Sequence, residues 1–326
     1  MKKNVLRVIS IILVTCLMAV LAVGCGTDDD KKQENNTANT NSTESNDKKP
    51  TATEDVTPKS QDSEPTSKPD KVKYTIADQV LVDNEVCTFK IVKAEEDDFW
   101  GFKVKVYCEN KTADKNLMFS VDDVSVNGYL IDPYWANTVA PGKKNNGELT
   151  FNSDYFDEAG ITAADEIRFK LKVYDSDDWE ADYFVEDRFA IYPTGKSADA
   201  VQYPARKTTD TEKVIIDNDD ISFVILEAGR DDFWGYRVLC YIENKTGKTL
   251  MYTWDDVSVN GFMIDPFWSK ELGPDMRCYG KITFFDSAFE ENNITTVEEI
   301  EYTLRIYDYD DWDADDLFEE KLTYKP

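Results

Sequence analysis

The chain of 326 residues contains no histidine. Histidine is the side chain that most often acts as a general acid or base near neutral pH, and it is the commonest protein ligand of transition metals. Ser-His-Asp triads, Cys-His pairs and histidine-bound zinc are therefore excluded. The sequence also lacks a glycine-rich phosphate loop, a nucleophile elbow and a recognisable metal motif.

Positive charge is scarce as well. The chain has 37 Lys and Arg residues against 65 Asp and Glu residues, so its formal net charge is -28. Nucleic-acid binding requires Lys and Arg to displace counterions from phosphates, and docking on an anionic membrane surface requires basic patches. We therefore expect no nucleic-acid partner, and the charged partners that such a protein attracts are cations.

Apolar residues are plentiful enough for sizeable cores. They make up 41% of the chain, which includes 17 Phe, 17 Tyr and 7 Trp residues. At roughly 100–200 residues per domain, the length predicts about two domains.

The first residues have the layout of a secretory signal. A basic start is followed by the apolar run 8–21, which is short for a membrane span of about 20 residues. The sequence LAVGC then ends at Cys25, and it resembles a bacterial lipobox with Ala22 in place of the usual Leu. This resemblance implies that 1–25 is a lipoprotein signal and that Cys25 carries a diacylglycerol thioether on the extracytoplasmic face of the cell membrane. The alternative is an ordinary signal peptide that happens to contain a cysteine.

Residues 26–72 differ sharply in composition from the C-terminal part of the chain. They contain no aromatic side chain and consist mostly of Asn, Thr, Ser, Lys, Asp, Glu and Pro. A segment so poor in apolar residues does not offset the entropy of ordering its backbone. We expect a disordered tether that lifts the folded region away from the lipid surface.

The remainder of the chain is a duplication. The sequence EDDFWGFKVKVYCENKT at 96–112 matches RDDFWGYRVLCYIENKT at 230–246. The sequence VDDVSVNGYLIDPYW at 121–135 matches WDDVSVNGFMIDPFW at 254–268. A repeat of this length is a whole domain, since solenoid units are only 20–50 residues long.

We place the first domain at 73–194 and the second at 211–326, joined by a linker at 195–210. Duplication of a small domain fits binding better than catalysis, because two linked modules gain effective concentration.

Apolar and polar residues alternate within each copy, as where Phe102, Val104 and Val106 alternate with lysines. A period of two indicates half-buried strands. The pair Asn127-Gly128 supplies the two positive-φ residues of a type I′ hairpin. We expect seven or eight strands in the first copy from these ranges, two of which can merge: 77–82, 86–94, 100–109, 116–121, 123–126, 129–131, 146–151, 166–174 and 184–192.

One short helix is predicted before the penultimate strand of each copy, since Ser287 and Glu290 have the spacing of a capping box. Many short strands in just over a hundred residues predict an all-β fold, with two tandem immunoglobulin-like antiparallel β-sandwiches.

The order of lipobox, tether and domains carrying DDFWG, ENKT, DDVSVNG, IDP and APGK resembles one known family. It is similar to the immunoglobulin-like (telokin-like) tandem-domain surface lipoproteins of Gram-positive bacteria. The resemblance covers both copies, although the second has GPDM where the first has APGK. It implies a β-sandwich module on the cell surface, and its motifs are structural rather than catalytic.

Four cysteines lie in the duplicated region, and two interpretations apply to them. They are either buried thiols that act as small hydrophobic residues, or Cys87 and Cys108 form a disulfide, which an extracytoplasmic location permits.

Carboxylates recur at alternate positions near the end of each copy, in the pattern that calcium with its six to eight oxygen ligands requires. The glycine of an EF-hand loop is missing, since Tyr183 and Asp316 take its place. The alternative is a pair of solvated hairpin loops, with no cofactor bound at all. The candidate calcium ligands are Asp178, Glu180, Asp182, Asp311, Asp313 and Asp315.

Each copy also has a Trp after an Asp-Asp turn and another after an Asp-Pro pair. Exposed at loop ends, these rings would stack on a glycan or a peptide. Because Trp is mostly buried in proteins, the alternative is that they close the ends of the sandwiches. The candidate ligand-binding residues are Trp100, Trp135, Trp234 and Trp268.

These patterns favour a non-enzymatic cell-surface lipoprotein whose domains serve as extracellular binding or spacer modules. Its expected partners are the membrane, through the lipid on Cys25, and an unidentified extracellular protein or glycan. One alternative is a calcium- or glycan-binding module. The other is an exported hydrolase, which requires a cleft with two converging carboxylates.

Overall fold

The computed structural model describes residues 72–97, 101–178 and 180–326. The predicted signal with Cys25, the predicted tether up to residue 71 and Trp100 lie outside these described residues.

The two copies have the same order of elements. Over its described residues the first copy forms nine strands and one helix: β1 (Ala77–Asp83), β2 (Cys87–Asp97), β3 (Gly101–Asn110), β4 (Leu117–Val126), β5 (Tyr129–Leu130), β6 (Ala136–Val139), β7 (Lys144–Phe151), α1 (Ser153–Ala159), β8 (Ile167–Asp175) and β9 (Val185–Ile191). A 3-10 turn comes next, at Ala198–Ala200. The second copy, described throughout, forms β10 (Lys213–Asp217), β11 (Ile221–Asp231), β12 (Gly235–Asn244), β13 (Leu250–Val259), β14 (Phe262–Met263), β15 (Ser269–Leu272), β16 (Met276–Phe284), α2 (Asp286–Glu291), β17 (Ile300–Asp308) and β18 (Phe318–Tyr324).

Each copy folds into two antiparallel sheets that face each other. In the first copy one sheet has the order β1-β2-β3-β7 and the other contains β5-β4-β8-β9, with β6 also paired to β4. In the second copy β10-β11-β12-β16 faces β14-β13-β17-β18, with β15 paired to β13. The prediction of an all-β chain of tandem immunoglobulin-like β-sandwiches is confirmed.

The alternation in the sequence produces this layering. In β3 every second side chain, from Phe102 to Cys108, is buried, and the lysines between them are only partly covered. Full burial of one large apolar side chain contributes about 1.5–3 kcal/mol. Each sandwich has its own hydrophobic core, one centred on Phe89, Phe119 and Phe169 and the other on Phe223, Tyr252 and Tyr302.

Strand β4 merges the two predicted ranges 116–121 and 123–126. A register shift between Asp122 and Ser125 marks a bulge, and Asp123 has a positive φ of 48°. A bulge of this kind bends a strand without ending it. The short strand β6, which pairs with one end of β4, was not predicted, so the described residues of the first copy form nine strands where seven or eight were expected.

The Asn-Gly hairpin is confirmed in both copies. Asn127 and Gly128 have φ values of 47° and 80°, and Asn260 and Gly261 have values of 51° and 82°. In the first copy the side-chain oxygen of Asn127 accepts hydrogen bonds from the backbone N–H groups of Asp165 and Glu166, at 2.9 and 3.0 Å. The amide of Asn260 makes the matching contacts in the second copy. This asparagine therefore ties the hairpin to the two residues that directly precede the strand after the helix.

All four cysteines of the duplicated region are free and buried. Cys108 pairs with Phe89 across the β2–β3 ladder and Cys87 pairs with Asn110, so the two thiols are not opposite one another. The structure therefore corresponds to the interpretation of buried thiols, and the Cys87–Cys108 disulfide is not formed. Burial raises the pKa of the Cys87 thiol to about 11, which keeps it protonated near neutral pH.

The two sandwiches belong to one compact unit, Lys71–Pro326. Their contact is built on β5 of the first copy, which lies parallel to β16 of the second, with Tyr129 opposite Arg277. The backbone N–H of Arg277 donates to the carbonyl of Gly128 at 2.9 Å. The rings of Tyr129 and Tyr279 stack with centroids 5.8 Å apart. The Arg277 guanidinium lies over the Tyr129 ring, at 5.7 Å from its centroid.

Residues of the predicted linker 195–210 take part in this contact. The ring of Tyr203 lies so close to Gly128 that a Cβ atom there would approach it to 2.7 Å. Lys207 donates its backbone N–H to the Tyr279 hydroxyl oxygen at 2.9 Å and its ammonium to the carbonyl of Asp157 at 2.8 Å. The linker is therefore packed between the two sandwiches.

Candidate functional site

The two tryptophans of the Asp-Pro motifs pack against the cores. Trp135 lies with its ring centroid 6.1 Å from that of Phe89, and Trp268 lies 6.1 Å from Phe223 in an edge-to-face arrangement. Both indoles are half-buried. Their placement fits the interpretation that they close the sandwiches, and it leaves little of either ring to stack on a ligand.

The candidate calcium ligands are all on the last hairpin of each copy, where the side chains are exposed or only partly covered. The buried carboxylate at the base of each hairpin is already paired, Asp175 with the Lys115 ammonium at 2.6 Å and Asp308 with that of Lys248 at 2.8 Å. Within the described ranges no group of three or more Asp, Glu or Cys side chains is arranged to hold a metal ion. Calcium binding by these loops remains a prediction.

The second sandwich exposes large aromatic side chains at one end, which we call the aromatic end. It comprises Phe233 (81% exposed), Trp234 (52%), Phe267 (74%) and Phe285 (49%). The ring centroids of Phe233 and Trp234 are 4.9 Å apart, and those of Phe267 and Phe285 are 6.2 Å apart. Of the tryptophans predicted as ligand-binding and described by the structure, Trp234 is the one that is exposed at a loop tip.

Backbone packing brings the two ring pairs to the same end. Phe233 and Trp234 form the turn between β11 and β12, and Phe285 connects β16 to α2. At Gly235, which has a φ of 89°, a Cβ atom would lie only 2.5 Å from the carbonyl oxygen of Phe284. The glycine is therefore required for the β11–β12 turn to lie against the start of α2.

The β11–β12 turn is held by a single carboxylate. Asp231 accepts hydrogen bonds from the backbone N–H groups of Trp234 at 2.9 Å and Phe233 at 3.0 Å. These two bonds, together with the Arg237 guanidinium, lower the pKa of Asp231 below its usual range. The exposed aromatic pair is thus presented on a fixed turn.

Phe285 occupies a position that normally carries a polar cap. In the first copy the residue before α1 is Asn152, and its side chain accepts a hydrogen bond from the N–H of Asp154 at 2.9 Å. In the second copy Phe285 precedes α2 and makes no side-chain cap. The predicted capping role of Ser287 is wrong, because Ser287 lies inside the helix. Loss of an N-cap costs about 0.5–2 kcal/mol, so we expect Phe285 to stabilise this helix less than an asparagine would.

An open cleft of about 480 Å³ lies beside α2. Arg230 forms an ion pair with Asp286 at its rim, and its guanidinium lies 5.6 Å from the centroid of the Phe289 ring. The Phe289 ring itself is only 1% exposed, so the Arg230–Asp286 pair covers it on the side of the cleft. The lining of the cleft includes Arg230, Asp286, Phe289, Glu290, Ile294 and Thr295.

The predicted sites contained Trp234 but neither Phe267 nor Phe285. Asn152 and Phe285 stand at matching places, directly after the strands that end in Leu-Thr-Phe and Ile-Thr-Phe. A comparison of the two copies position by position would have shown a capping residue replaced by a large apolar one. The cleft has no such signal, since its lining combines Arg230 at the end of β11 with residues of α2 and of the segment after it.

The chain matches no protein-family model and no curated protein. None of the helices in the described residues is long and apolar enough to cross a membrane. Fold and surface define the chain as an all-β protein of tandem immunoglobulin-like sandwiches with an exposed aromatic surface on the second.

Proposed function

We propose that this chain is a non-enzymatic lipoprotein of the cell surface, whose duplicated sandwiches bind an extracellular partner. The lipid on Cys25 attaches the chain to the extracytoplasmic face of the membrane, and residues 26–72 are the tether. The support for this location is the lipobox-like sequence LAVGC and the composition of the segment after it. The resemblance to tandem-domain surface lipoproteins of Gram-positive bacteria points the same way.

The observation that carries the binding role is the aromatic end of the second sandwich. Exposed apolar patches on soluble domains mark interaction surfaces, and aromatic side chains contribute most of the energy in many protein interfaces. Phe285 strengthens this argument, because it stands where the first copy has the capping Asn152 and makes no side-chain cap itself. An exposed apolar ring in place of a polar cap is expected where the ring contacts a partner.

Three of the four exposed rings are phenylalanines, which have no polar group to bond to sugar hydroxyls. This composition favours a protein partner with an apolar surface. A glycan is the second candidate, and it is favoured by the exposed indole of Trp234 beside the polar rim of Arg230 and Asp286.

Binding through the aromatic end is tested with the full-length chain in detergent and immobilised cell-envelope fractions, one of protein and one of glycan. We expect capture by the protein fraction, lost in the quadruple variant Phe233→Ser/Trp234→Ser/Phe267→Ser/Phe285→Asn. The matched control is Tyr134→Ser, because Tyr134 is an exposed aromatic residue at the place in the first copy that Phe267 holds in the second. Equal capture of the quadruple variant would contradict a role for this surface.

The anchor is tested separately by replacing Cys25 with Ser in the full chain. We expect the wild-type chain in the detergent phase of a phase-separation assay and the variant in the aqueous phase. A wild-type chain found in the aqueous phase would favour the ordinary signal peptide.

The hydrolase alternative has one structural argument, since Asp286 and Glu290 both line the cleft. Asp286 is already paired with Arg230. Hydrolysis of a cell-wall glycan by the full chain, abolished in Glu290→Gln, would overturn the non-enzymatic proposal.

A further inference from the structure

The contact between the two sandwiches joins two different surfaces. The first sandwich contributes the end of its Asn-Gly hairpin, and the second contributes the outer edge of β16. The carbonyl of Gly128 accepts a hydrogen bond from the N–H of Arg277 at 2.9 Å. The ring of Tyr129 stacks on that of Tyr279. The contact is therefore heterologous, and since both sandwiches contain both elements, one hairpin and one strand edge remain outside it.

The hairpin outside the contact is that of the second sandwich, and it is exposed. Phe262 and Met263 are 46% and 68% exposed, whereas Tyr129, at the place of Phe262, is buried. A Cβ atom at Gly261 would have no neighbour within 4 Å. The turn at Asn260-Gly261 has φ values close to those of the first hairpin. The second sandwich therefore presents to solvent the shape that the first sandwich buries.

The strand edge outside the contact is that of β7 in the first sandwich. Among the described residues β7 pairs with β3, whereas β16 pairs with both β12 and β5. Lys144 stands at the place of Arg277 and keeps its register. It lies opposite Glu109 of β3, as Arg277 lies opposite Glu243 of β12. The N–H of Lys144 is therefore directed away from β3, as the N–H that binds Gly128 is directed away from β12.

The side chains around this N–H are retained on β7. Tyr107 donates its hydroxyl hydrogen to Glu109 at 2.8 Å, and the Lys144 ammonium lies 3.4 Å from the same carboxylate. The matching group in the second sandwich, with both distances at 2.9 Å, consists of Tyr241, Glu243 and Arg277. The edge of β7 thus repeats both the backbone donor and the charged group beside it.

Two replacements alter the hairpin and the edge together. Tyr129 donates its hydroxyl hydrogen to the carbonyl of the linker residue Pro204 at 3.3 Å. Phe262 has no hydroxyl, so it needs no such partner when it is buried. Asn146 stands at the place of Tyr279, and the ring on this edge that remains for Phe262 to contact is that of Tyr107.

We propose that molecules of this chain associate head to tail, with the hairpin at 260–263 of one molecule docked on the β7 edge of the next. The occupant is a second molecule of this chain because the contact continues, between elements of the same kind, an interface that the chain already contains. A heterologous contact of this kind produces rings or open chains rather than a twofold dimer. The surface is distinct from the aromatic end.

One charged pair opposes the association. Within the chain, Glu158 of α1 forms an ion pair with Lys281 of β16 at 3.0 Å. The residues at those places in the proposed contact are Glu291 and Glu148. Replacing Glu148 by Lys restores the pair, and we expect it to strengthen association about two- to fivefold, the range of an exposed ion pair.

The experiment is a complementation between two variants of the full-length chain, measured by sedimentation velocity with detergent micelles in large excess over protein. The edge variant is Lys144→Pro, which removes the N–H and is tolerated at the first residue of an edge strand. The hairpin variant is Phe262→Asp/Met263→Asp. Its matched control for the edge is Lys144→Ala, which keeps the backbone N–H.

We expect the wild type to form species larger than dimers as its concentration increases, and Glu148→Lys to form them at lower concentration. Each variant alone should stay monomeric, whereas an equimolar mixture of the edge and hairpin variants should stop at dimers. The control Lys144→Ala should associate as the wild type does.

Three outcomes would overturn the inference: folded wild type and Glu148→Lys that both remain monomeric, either variant alone associating like the wild type, or a mixture of the two variants that stays monomeric. Association that is lost in the quadruple variant of the aromatic end and kept in the hairpin variant would also overturn it. Capture of the envelope protein fraction depends on the aromatic end, so failure of head-to-tail association would leave the proposed function standing.

Discussion

The indole of Trp135 lies directly over Gly147 of β7, where a Cβ atom would come within 3.0 Å of the indole nitrogen. The second copy repeats the pair, since a Cβ atom at Gly280 of β16 would lie 3.4 Å from the indole nitrogen of Trp268. The duplicated Asp-Pro-aromatic-Trp motif is therefore coupled to a glycine in the strand across from it. The tryptophan and the glycine recur together in both copies because the indole packs on a strand position that carries no side chain.

A side chain at this glycine is expected to lower stability. In Gly147→Ala the new methyl group displaces the Trp135 ring, and overpacking of this kind costs about 1–3 kcal/mol. The measurement is the free energy of unfolding from denaturant titration, with tryptophan fluorescence reporting the change around the indole. Gly229→Ala is the control, because a Cβ atom at that strand position has no neighbour within 4 Å. Equal effects of the two substitutions would contradict the role assigned to the Trp135–Gly147 contact.

Restoring the cap of the second helix is expected to stabilise the chain and weaken binding. Phe285→Asn introduces the residue that the first copy uses before α1, and a good N-cap contributes about 0.5–2 kcal/mol. Thermal unfolding should shift upward, while capture by the envelope protein fraction should fall.

The reverse change, Asn152→Phe, serves as the matched control for this exchange. It is expected to lower the melting temperature and to leave binding unchanged, because the proposed binding surface, with its Phe267–Phe285 ring pair, belongs to the second copy. A destabilised Phe285→Asn chain would show that the Phe285 ring supports the fold itself, and the functional argument from the missing cap would then be wrong.

The features that depend on local pattern were predictable from the sequence. Alternation in β3 indicated a strand, and Asn127-Gly128 indicated a type I′ turn, because both depend on the backbone and on neighbouring residues. The exposure of Trp234 and the partial burial of Trp135 were not predictable, since each motif allowed two interpretations. Only the packing of distant strands decides which ring is covered.

The contact between the sandwiches was also beyond local pattern. It pairs Tyr129 with Arg277, far apart in the sequence, through a single parallel bridge. The matching residue in the second copy, Phe262, is 46% exposed, whereas Tyr129 is 1% exposed. The two nearly identical hairpins therefore have different surroundings. The linker residue Tyr203 packs against Gly128 of the first hairpin, whereas a Cβ atom at Gly261 of the second would have no neighbour within 4 Å.

The stacked pair of Tyr129 and Tyr279 is expected to couple the two sandwiches energetically. A double-mutant cycle with Tyr129→Ala and Tyr279→Ala should give an interaction energy of about 0.5–1.5 kcal/mol, the range for aromatic pairs. The control cycle combines Tyr129→Ala with Tyr307→Ala, since Tyr307 packs on Trp312 at the far hairpin. Those two changes should add within about 0.3–0.5 kcal/mol. Full additivity in the first cycle would mean that the sandwiches touch without stabilising each other.

Acid is expected to remove a stabilising contribution from the base of the last hairpin in each copy. The Lys115 ammonium and the backbone N–H of Asp177 both donate hydrogen bonds to Asp175. These bonds hold the pKa of Asp175 below its usual range, and the bond from Lys115 has the larger effect. Lys248 lowers the pKa of Asp308 in the same way. A carboxyl whose pKa is lower in the folded state stabilises that state above about pH 4, the pKa of an unfolded Asp. Its contribution is lost as the pH falls from there through the folded pKa.

The Asp175→Asn variant isolates this contribution. We expect its melting temperature to lie below that of the wild type at pH 7, and we expect the difference to shrink as the pH is lowered from about 4 to 2. Asp178→Asn is the control, because Asp178 is an exposed carboxylate in the same hairpin. It should match the wild-type curve throughout. A difference between Asp175→Asn and wild type that stayed constant across the whole pH range would show that Asp175 acts through packing and hydrogen bonding of its neutral form. In that case the ion pair with Lys115 would not be the source of the stabilisation.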